Sequence, residues 1–91
     1  MYNGWTNYET WCYKLWMDNV QSYYNYYHEM AKEHDTYTLS TILKDEAEEV
    51  ACNAMEVAGC SASWLSDFIQ ASIDRVNFYE IAEALKEEIE E

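Results

Sequence analysis

The amino-acid sequence predicts an all-α fold, a compact single-domain bundle of four to five helices that spans residues 1–91. A chain of 91 residues has the length of one domain. It contains no proline and only two glycines, so few residues interrupt a helix. Apolar residues recur at helical spacing in successive segments, and four tryptophans, nine tyrosines and two phenylalanines supply large side chains for a small core.

The first helix is predicted to begin after Thr6, because Thr6 and Glu9 have the spacing of a capping box. Its apolar residues follow the i, i+3, i+4, i+7, i+8 pattern that places them on one buried face. The helix is expected to end near Asp18 and Asn19. The residues expected on the buried face are Tyr8, Trp11, Cys12, Leu15 and Trp16.

The second helix is predicted over residues 21–34 and the third over residues 39–58, with a loop at residues 35–38. Gly59 stands where a left-handed residue commonly ends a helix. The expected inward faces are Tyr23, Tyr27, Met30, Ala31 and His34 in the second helix, and Leu39, Ile42, Leu43, Ala47, Val50, Ala54 and Val57 in the third.

Glu46 is an exception to the polar pattern of the third helix, since helical geometry places it on the apolar side. A buried carboxylate needs hydrogen-bond donors. We therefore expect Glu46 to lie at the edge of the apolar stripe or to pair with a buried donor such as a tyrosine hydroxyl.

A short fourth helix is predicted after Ser61 or Ser63, and a fifth after Asn77. Asn77 and Glu80 have the spacing of an N-cap and its third helical residue, and Val76 and Ile81 that of a hydrophobic staple. The inward residues are expected to be Trp64, Leu65, Phe68, Ile69 and Ile73 in the fourth helix, and Phe78, Ile81, Ala82, Leu85 and Ile89 in the fifth.

The net charge is strongly negative, with eighteen acidic residues against five basic ones and a formal value of -13. Such a chain is repelled by nucleic acid and by anionic membranes, and it attracts basic protein surfaces. The alternative is that the charge only keeps the protein soluble. The sequence shows no apolar run near the roughly 20 residues of a membrane span. Its three cysteines are an odd number and lack C-x-x-C spacing. Because the sequence shows no signal-peptide pattern, they are expected to lie in a reducing cytoplasm.

Catalysis is not expected. His28 and His34 are six residues apart, so on a helix they do not face one ligand. The sequence has no Gly-rich phosphate loop and no nucleophile elbow, and no base is marked for Cys60. We therefore predict a protein that is not an enzyme and has no metal or cofactor.

Carboxylates gather on the outer face of the fifth helix, within about 100° of one another and opposite the apolar face. Lys86 is the only basic residue of this helix. Neighbouring like charges destabilise a helix, so a row of carboxylates with few compensating lysines indicates that the negative charge is itself useful. The alternative is that this face is only solvated. The predicted charge site consists of Glu80, Glu83, Glu87 and Glu90, with Glu91 in the same row and Asp45 and Glu49 on the third helix.

Aromatic and methionine side chains complement this site. Tyr13 and Met17 lie opposite the predicted apolar face of the first helix and are expected to be exposed anchors for a partner. The run of tyrosines at residues 23–27 exceeds what one buried face holds. The alternative is that a second layer of helices covers these side chains.

Two motifs resemble those of a small protein family of unknown function from phages, plasmids and bacteria. The first is Asn7-Tyr8-Glu9-Thr10-Trp11, and the second is Val76-Asn77-Phe78-Tyr79-Glu80-Ile81-Ala82. Cys12 and Phe78 depart from the commoner Asn and Trp of that family. The resemblance brings no catalytic residues, and it implies a mobile-element setting in which small acidic proteins often inhibit host defence.

Together these features predict a non-enzymatic inhibitor of the anti-CRISPR or antirestriction type. It is expected to act in the cytoplasm, that of the host if a phage encodes it, and to mimic nucleic acid on a basic nucleic-acid-binding protein such as a CRISPR effector or restriction nuclease. The alternative is a structural or homodimeric module without mimicry, in which surplus tyrosines such as Tyr13, Tyr24 and Tyr26 form the interface. A third possibility is a regulator whose host partner does not bind nucleic acid.

Overall fold

The computed structural model describes residues 1–90 and contains five α-helices, which confirms the predicted all-α bundle. Glu91, which the sequence placed in the acidic row, lies outside the described residues. A tight turn with Asn3 and Gly4 at positive φ pairs Tyr2 with Trp5 before the first helix. The helices are α1 (Tyr8–Asn19), α2 (Gln21–Glu33), α3 (Thr36–Ala58), α4 (Trp64–Arg75) and α5 (Phe78–Ile89).

The cap of α1 differs from the predicted one. Asn7, not Thr6, is the N-cap, and its side-chain Oδ1 accepts the N–H of Thr10 at 2.9 Å. The N–H of Thr6 instead donates to the carboxylate of Glu80. The predicted capping box of Thr6 and Glu9 is therefore wrong, because the asparagine one residue later caps at least as well as a threonine.

The helix α3 begins earlier than predicted, since residues 36–38 are its first turn rather than a loop. Asp35 is the N-cap, and its Oδ1 accepts the N–H of Thr38 at 2.7 Å. That hydrogen bond favours the ionised carboxyl and lowers the pKa of Asp35. At the other end Gly59 has φ 75°, and the N–H of Cys60 donates to the carbonyl of Met55, which confirms the predicted glycine stop.

The core lies between α5 and the first half of α3, with α2 packed on the other side of α5. The predicted inward face of α5 is confirmed, and Ile89 at its end is partly buried. The first half of the predicted inward face of α3 is confirmed as well. The fully or largely buried apolar residues are Met17, Ala31, Leu39, Leu43, Ala47, Phe78, Ile81, Ala82 and Leu85.

The inward face of α1 is not the predicted one. Its buried residues are Thr10, Lys14 and Met17, whereas Tyr8, Leu15 and Trp16 are exposed, Trp16 to 63%. The helix is rotated because Thr10 and Lys14 find hydrogen-bond and charge partners on α5 and its N-cap, described below. Met17 is 2% exposed, so the expectation that it is an exposed anchor is wrong.

Tyr13 also faces inward, and its ring meets the ring of Phe78 edge to face at 5.3 Å. It is partly buried against the core, so the alternative that a second layer of helices covers Tyr13 and Met17 is the correct one. Tyr24 and Tyr26 remain exposed on α2, as does Tyr23, which was expected to face inward.

One side of the bundle is poorly covered. In the second half of α3, Val50 and Val57 were expected to be buried but are 65% and 91% exposed. None of the residues of α4 is fully buried, and Trp64 and Phe68, also expected inside, are 68% and 65% exposed. Leu65, Ile69 and Ile73 are partly buried. The helix α4 therefore shields α1 and α3 only in part.

Candidate functional site

The two sequence motifs meet at the N-termini of α1 and α5, in a set of hydrogen bonds that we call the cap clasp, made by Thr6, Asn7, Thr10, Asn77 and Glu80. Thr10 is fully buried at its centre. Its hydroxyl donates to Oδ1 of Asn7 at 2.6 Å and accepts the N–H of Asn77 at 2.9 Å. Asn77 caps α5 through the N–H of Glu80 at 3.0 Å, as predicted. Each cap therefore supports the other.

Further bonds extend the clasp. The amide of Asn7 donates to the carbonyl of Arg75 at 2.7 Å, and the guanidinium of Arg75 pairs with Glu9 at 3.2 Å. The carboxylate of Glu80 accepts the N–H of Thr6 at 3.1 Å, and the Glu80 residue is half-buried. Glu80, predicted as part of the charge site, thus acts in the fold. The motifs determine how the two helices start together.

A buried lysine ties α1 to α5 and α2. Lys14 is 3% exposed, and its Nζ pairs with Asp18 at 2.7 Å and with Glu88 at 3.0 Å. The other oxygen of Glu88 meets Nε2 of His28 at 2.7 Å, while Nδ1 of His28 lies 2.6 Å from the carbonyl of Tyr24. Both ring nitrogens therefore lie within hydrogen-bond distance of oxygen atoms, one on α2 and one on α5. His28 therefore serves the packing of helices, and among residues 1–90 no group of His, Cys, Asp and Glu is arranged to hold a metal ion.

Glu46 accepts two tyrosine hydroxyls, from Tyr26 at 2.8 Å and from Tyr27 at 2.9 Å. This confirms the predicted pairing of Glu46 with a tyrosine donor. Burial, the charge of neighbouring Tyr13 and the bond to Glu46 raise the pKa of Tyr27 well above its usual value. The neutral hydroxyl, which can donate, is thereby favoured.

Lys86 is committed to the fold as well. Its Nζ donates to the carbonyls of Ala31 at 3.0 Å and His34 at 2.9 Å, at the C-terminal end of α2. A cation at this position satisfies carbonyls that the helix leaves free and complements its dipole. The only basic residue of α5 therefore points toward α2.

An acidic row remains on the outside of α5, formed by Glu83, Glu87 and Glu90. All three are exposed, and within residues 1–90 none of them makes an ion pair. Asp45 and Glu49 are exposed one turn apart on α3, likewise without an ion pair in this part of the chain. Asp45 and Tyr79 line a shallow depression of about 270 Å³ between α3 and the start of α5.

A larger groove runs along α1 on the poorly covered side, with a volume of about 550 Å³. We call it the α1–α4 groove, because α1 and α4 both contribute to its lining, together with residues of α2 and α3. Sequence reasoning missed it, because it assigned the exposed Trp16 and Val50 to the core. Residues that characterise its lining are Tyr8, Cys12, Trp16, Tyr23, Val50 and Ile69.

The comparisons with known proteins identify a family but no function. A model of a family of unknown function, DUF7249, matches residues 1–91. No curated protein and no solved structure is significantly similar to the chain. Across residues 1–90, every helix is too short or too polar to cross a bilayer.

Proposed function

We propose a function for this chain, which belongs to the DUF7249 family of unknown function. The protein is a non-enzymatic inhibitor that binds the basic, nucleic-acid-binding surface of a host defence protein. The class of target proposed is a CRISPR effector or a restriction nuclease. The acidic row would take the place of nucleic-acid phosphates on that surface.

The observation that carries the proposal is the uncompensated charge of α5. Glu83 and Glu87 are one turn apart, so their Cβ atoms are about 5–6 Å from each other, and their repulsion costs a few tenths of a kcal/mol. Lys86 could relieve this repulsion but donates to α2 instead. A row of exposed carboxylates presents single negative charges along one line, as a nucleic-acid backbone does.

The aromatic component of the proposed surface differs from the one that the sequence predicted, since Tyr13 and Met17 lie inside. Tyr79 is exposed and precedes Glu83 by one turn on the same side of α5. It can therefore stack where a base would stack while the carboxylates meet Lys or Arg side chains.

The assignment to host defence depends on the resemblance of the two motifs to mobile-element proteins. The uncompensated charge of the acidic row requires only that the partner surface be basic.

The test is inhibition of DNA cleavage by a panel of purified CRISPR effectors and restriction nucleases, measured at low and high salt. We expect one member to be inhibited, less strongly at high salt because exposed charges are screened. The double variant E83K/E87K should weaken inhibition about tenfold or more. The matched control E56K/D67K changes the net charge equally at exposed sites on α3 and α4 and should change inhibition less than about threefold.

Equal weakening by both double variants would mean that only total charge matters, which contradicts mimicry by the row. Inhibition that is insensitive to salt would favour a regulator that binds for reasons unrelated to nucleic acid.

A second candidate is the homodimeric module, and the observation that favours it is the exposure of the large apolar side chains Trp16, Trp64 and Phe68. Sedimentation velocity over a range of concentrations separates the two. A stable dimer in which these side chains become protected, with no nuclease inhibited, would replace the inhibitor proposal.

A further inference from the structure

We infer that the α1–α4 groove is the docking site for a basic amphipathic helix of the partner protein. This inference rests on the proposed function, because it adds a second contact to the same partner and assigns the chemistry of that contact. It does not involve the acidic row.

The length of the groove suits a helix. Its lining on α1 extends from Tyr8 to Met17, which corresponds to about 14 Å along the helix axis. Anchors at i, i+4 and i+7 of a docked helix span about 10.5 Å, so three of them fit within that length.

The chemistry of the lining is apolar. Aliphatic side chains come from α3 and α4, and aromatic rings come from α1 and α2. Trp16 and Val50 line the groove with more than half of their surface exposed, although both are large apolar residues. An amphipathic helix that buries leucine-like anchors there would remove this apolar surface from water, which favours binding.

Charge decides which helix fits. Glu9 is the one ionisable carboxylate among the described lining residues, and Arg75 pairs with it. Just beyond the lining, Glu49 precedes Val50 on α3 and Asp74 follows Ile73 on α4, and both acids are exposed. An occupant with Lys or Arg beside its apolar face is attracted to these flanks, whereas a second copy of this chain carries a net charge of -13 and is repelled.

Two side chains allow the groove to be observed directly. Cys12 is a free, partly exposed thiol in the lining, and Cys52 is a free, exposed thiol on α3 outside it. Alkylation of Cys12 reports occupancy of the groove, and alkylation of Cys52 in the same molecule is the internal control.

The probe is a fluorescein-labelled peptide of about 18 residues, made of leucine and lysine with the leucines on one helical face. Its binding to the full chain is measured by fluorescence anisotropy, alongside a peptide with glutamate in place of lysine. We expect the lysine peptide to bind, the glutamate peptide not to bind, and Cys12 alkylation to slow about fivefold or more in the complex while Cys52 is unaffected.

Matched variants separate the groove from general charge attraction. Val50→Lys and Val57→Lys place the same side chain at exposed positions of α3, but only Val50 lines the groove. We expect Val50→Lys to weaken peptide binding about tenfold and Val57→Lys to change it less than about threefold. Equal effects of the two variants, or unchanged Cys12 alkylation in the complex, would overturn the inference. So would protection of Cys12 at rising protein concentration without peptide, because a second copy would then be the occupant.

The two proposals fail in distinguishable ways. If the peptide binds as expected but no nuclease is inhibited, the groove stands and the inhibitor function does not. If a nuclease is inhibited and the Val50→Lys variant inhibits as well as the unaltered chain, the inhibitor function stands and the groove inference does not.

Discussion

Replacing Thr10 by valine should destabilise the protein strongly, although the two side chains have nearly the same shape. The change removes the hydrogen bond from the Thr10 hydroxyl to Asn7 and the acceptor of the Asn77 N–H. Each lost bond costs about 0.5–1.5 kcal/mol, and a buried donor left without a partner costs about 1–3 kcal/mol. We therefore expect a loss of about 2–4 kcal/mol. A domain of this size has a total stability of about 5–14 kcal/mol.

The assay is urea unfolding followed by far-ultraviolet circular dichroism, with the free energy of unfolding extrapolated to water. Thr41→Val is the matched control, because its exposed hydroxyl makes one bond of 3.2 Å, to the carbonyl of Tyr37; it should change stability by less than about 0.5 kcal/mol. Thr10→Ser keeps the hydroxyl and should cost only about 1 kcal/mol for the lost methyl group. A Thr10→Val variant as stable as the Thr41→Val control would refute the reasoning that the clasp depends on this hydroxyl.

Three further predictions concern other parts of the core. In urea unfolding, Met17→Ala should lower the free energy of unfolding by about 2–4 kcal/mol and Trp16→Ala by less than about 1 kcal/mol. The reverse order would mean that the sequence pattern had identified the buried face of α1 correctly. Lys86→Met should destabilise the protein by about 1–3 kcal/mol, because two carbonyls at the end of α2 lose their donor. The control Lys44→Met breaks no ion pair among residues 1–90 and should be nearly neutral; equal changes in the thermal unfolding temperature of the two variants would contradict this prediction. Because the pKa of Tyr27 is raised in the folded protein, only the unfolded chain ionises this hydroxyl just above pH 10.0, so its contribution to stability is fully present below that pH and falls above it. The Tyr27→Phe variant should therefore lose stability less steeply than the unaltered protein between pH 10 and 11. An equal slope of stability against pH in the two proteins would contradict the raised pKa of Tyr27.

The sequence correctly predicted two helix boundaries and one carboxylate role that depend on local chemistry. The end of α3 follows from Gly59, and the start of α5 follows from Asn77, because a left-handed stop and an asparagine cap need only their neighbours along the chain. The acceptor role of Glu46 was also predictable, since a carboxylate on an apolar face requires donors.

The face of α1 was not predictable in the same way. Counting apolar residues favoured Trp16 and Leu15 over Lys14, because a lysine is normally exposed. The structure reverses that order, since the exposed carboxylates of Glu88 and Asp18 pair with the buried ammonium of Lys14. Only the Asp18 partner, one turn along the same helix, left a signal in the sequence.

The candidate surfaces also differ in how much of each could be predicted from the sequence. The exposure of Glu83 and Glu87 followed from helical geometry alone, whereas the engagement of Glu80 depends on a residue 74 positions away. The α1–α4 groove results from the loose packing of α4, and no pattern within one helix encodes how closely it approaches the next. Distances between helices are therefore what sequence reasoning lacked.

The cap clasp also has a consequence for how the protein is synthesised. The Thr10 hydroxyl accepts a bond from Asn77, which a ribosome adds 67 residues later. At about 5–20 residues per second, that delay is about 3–13 s. During that interval α1 lacks both this hydrogen bond and its contacts with α5, so the cap clasp cannot close until Asn77 has been added.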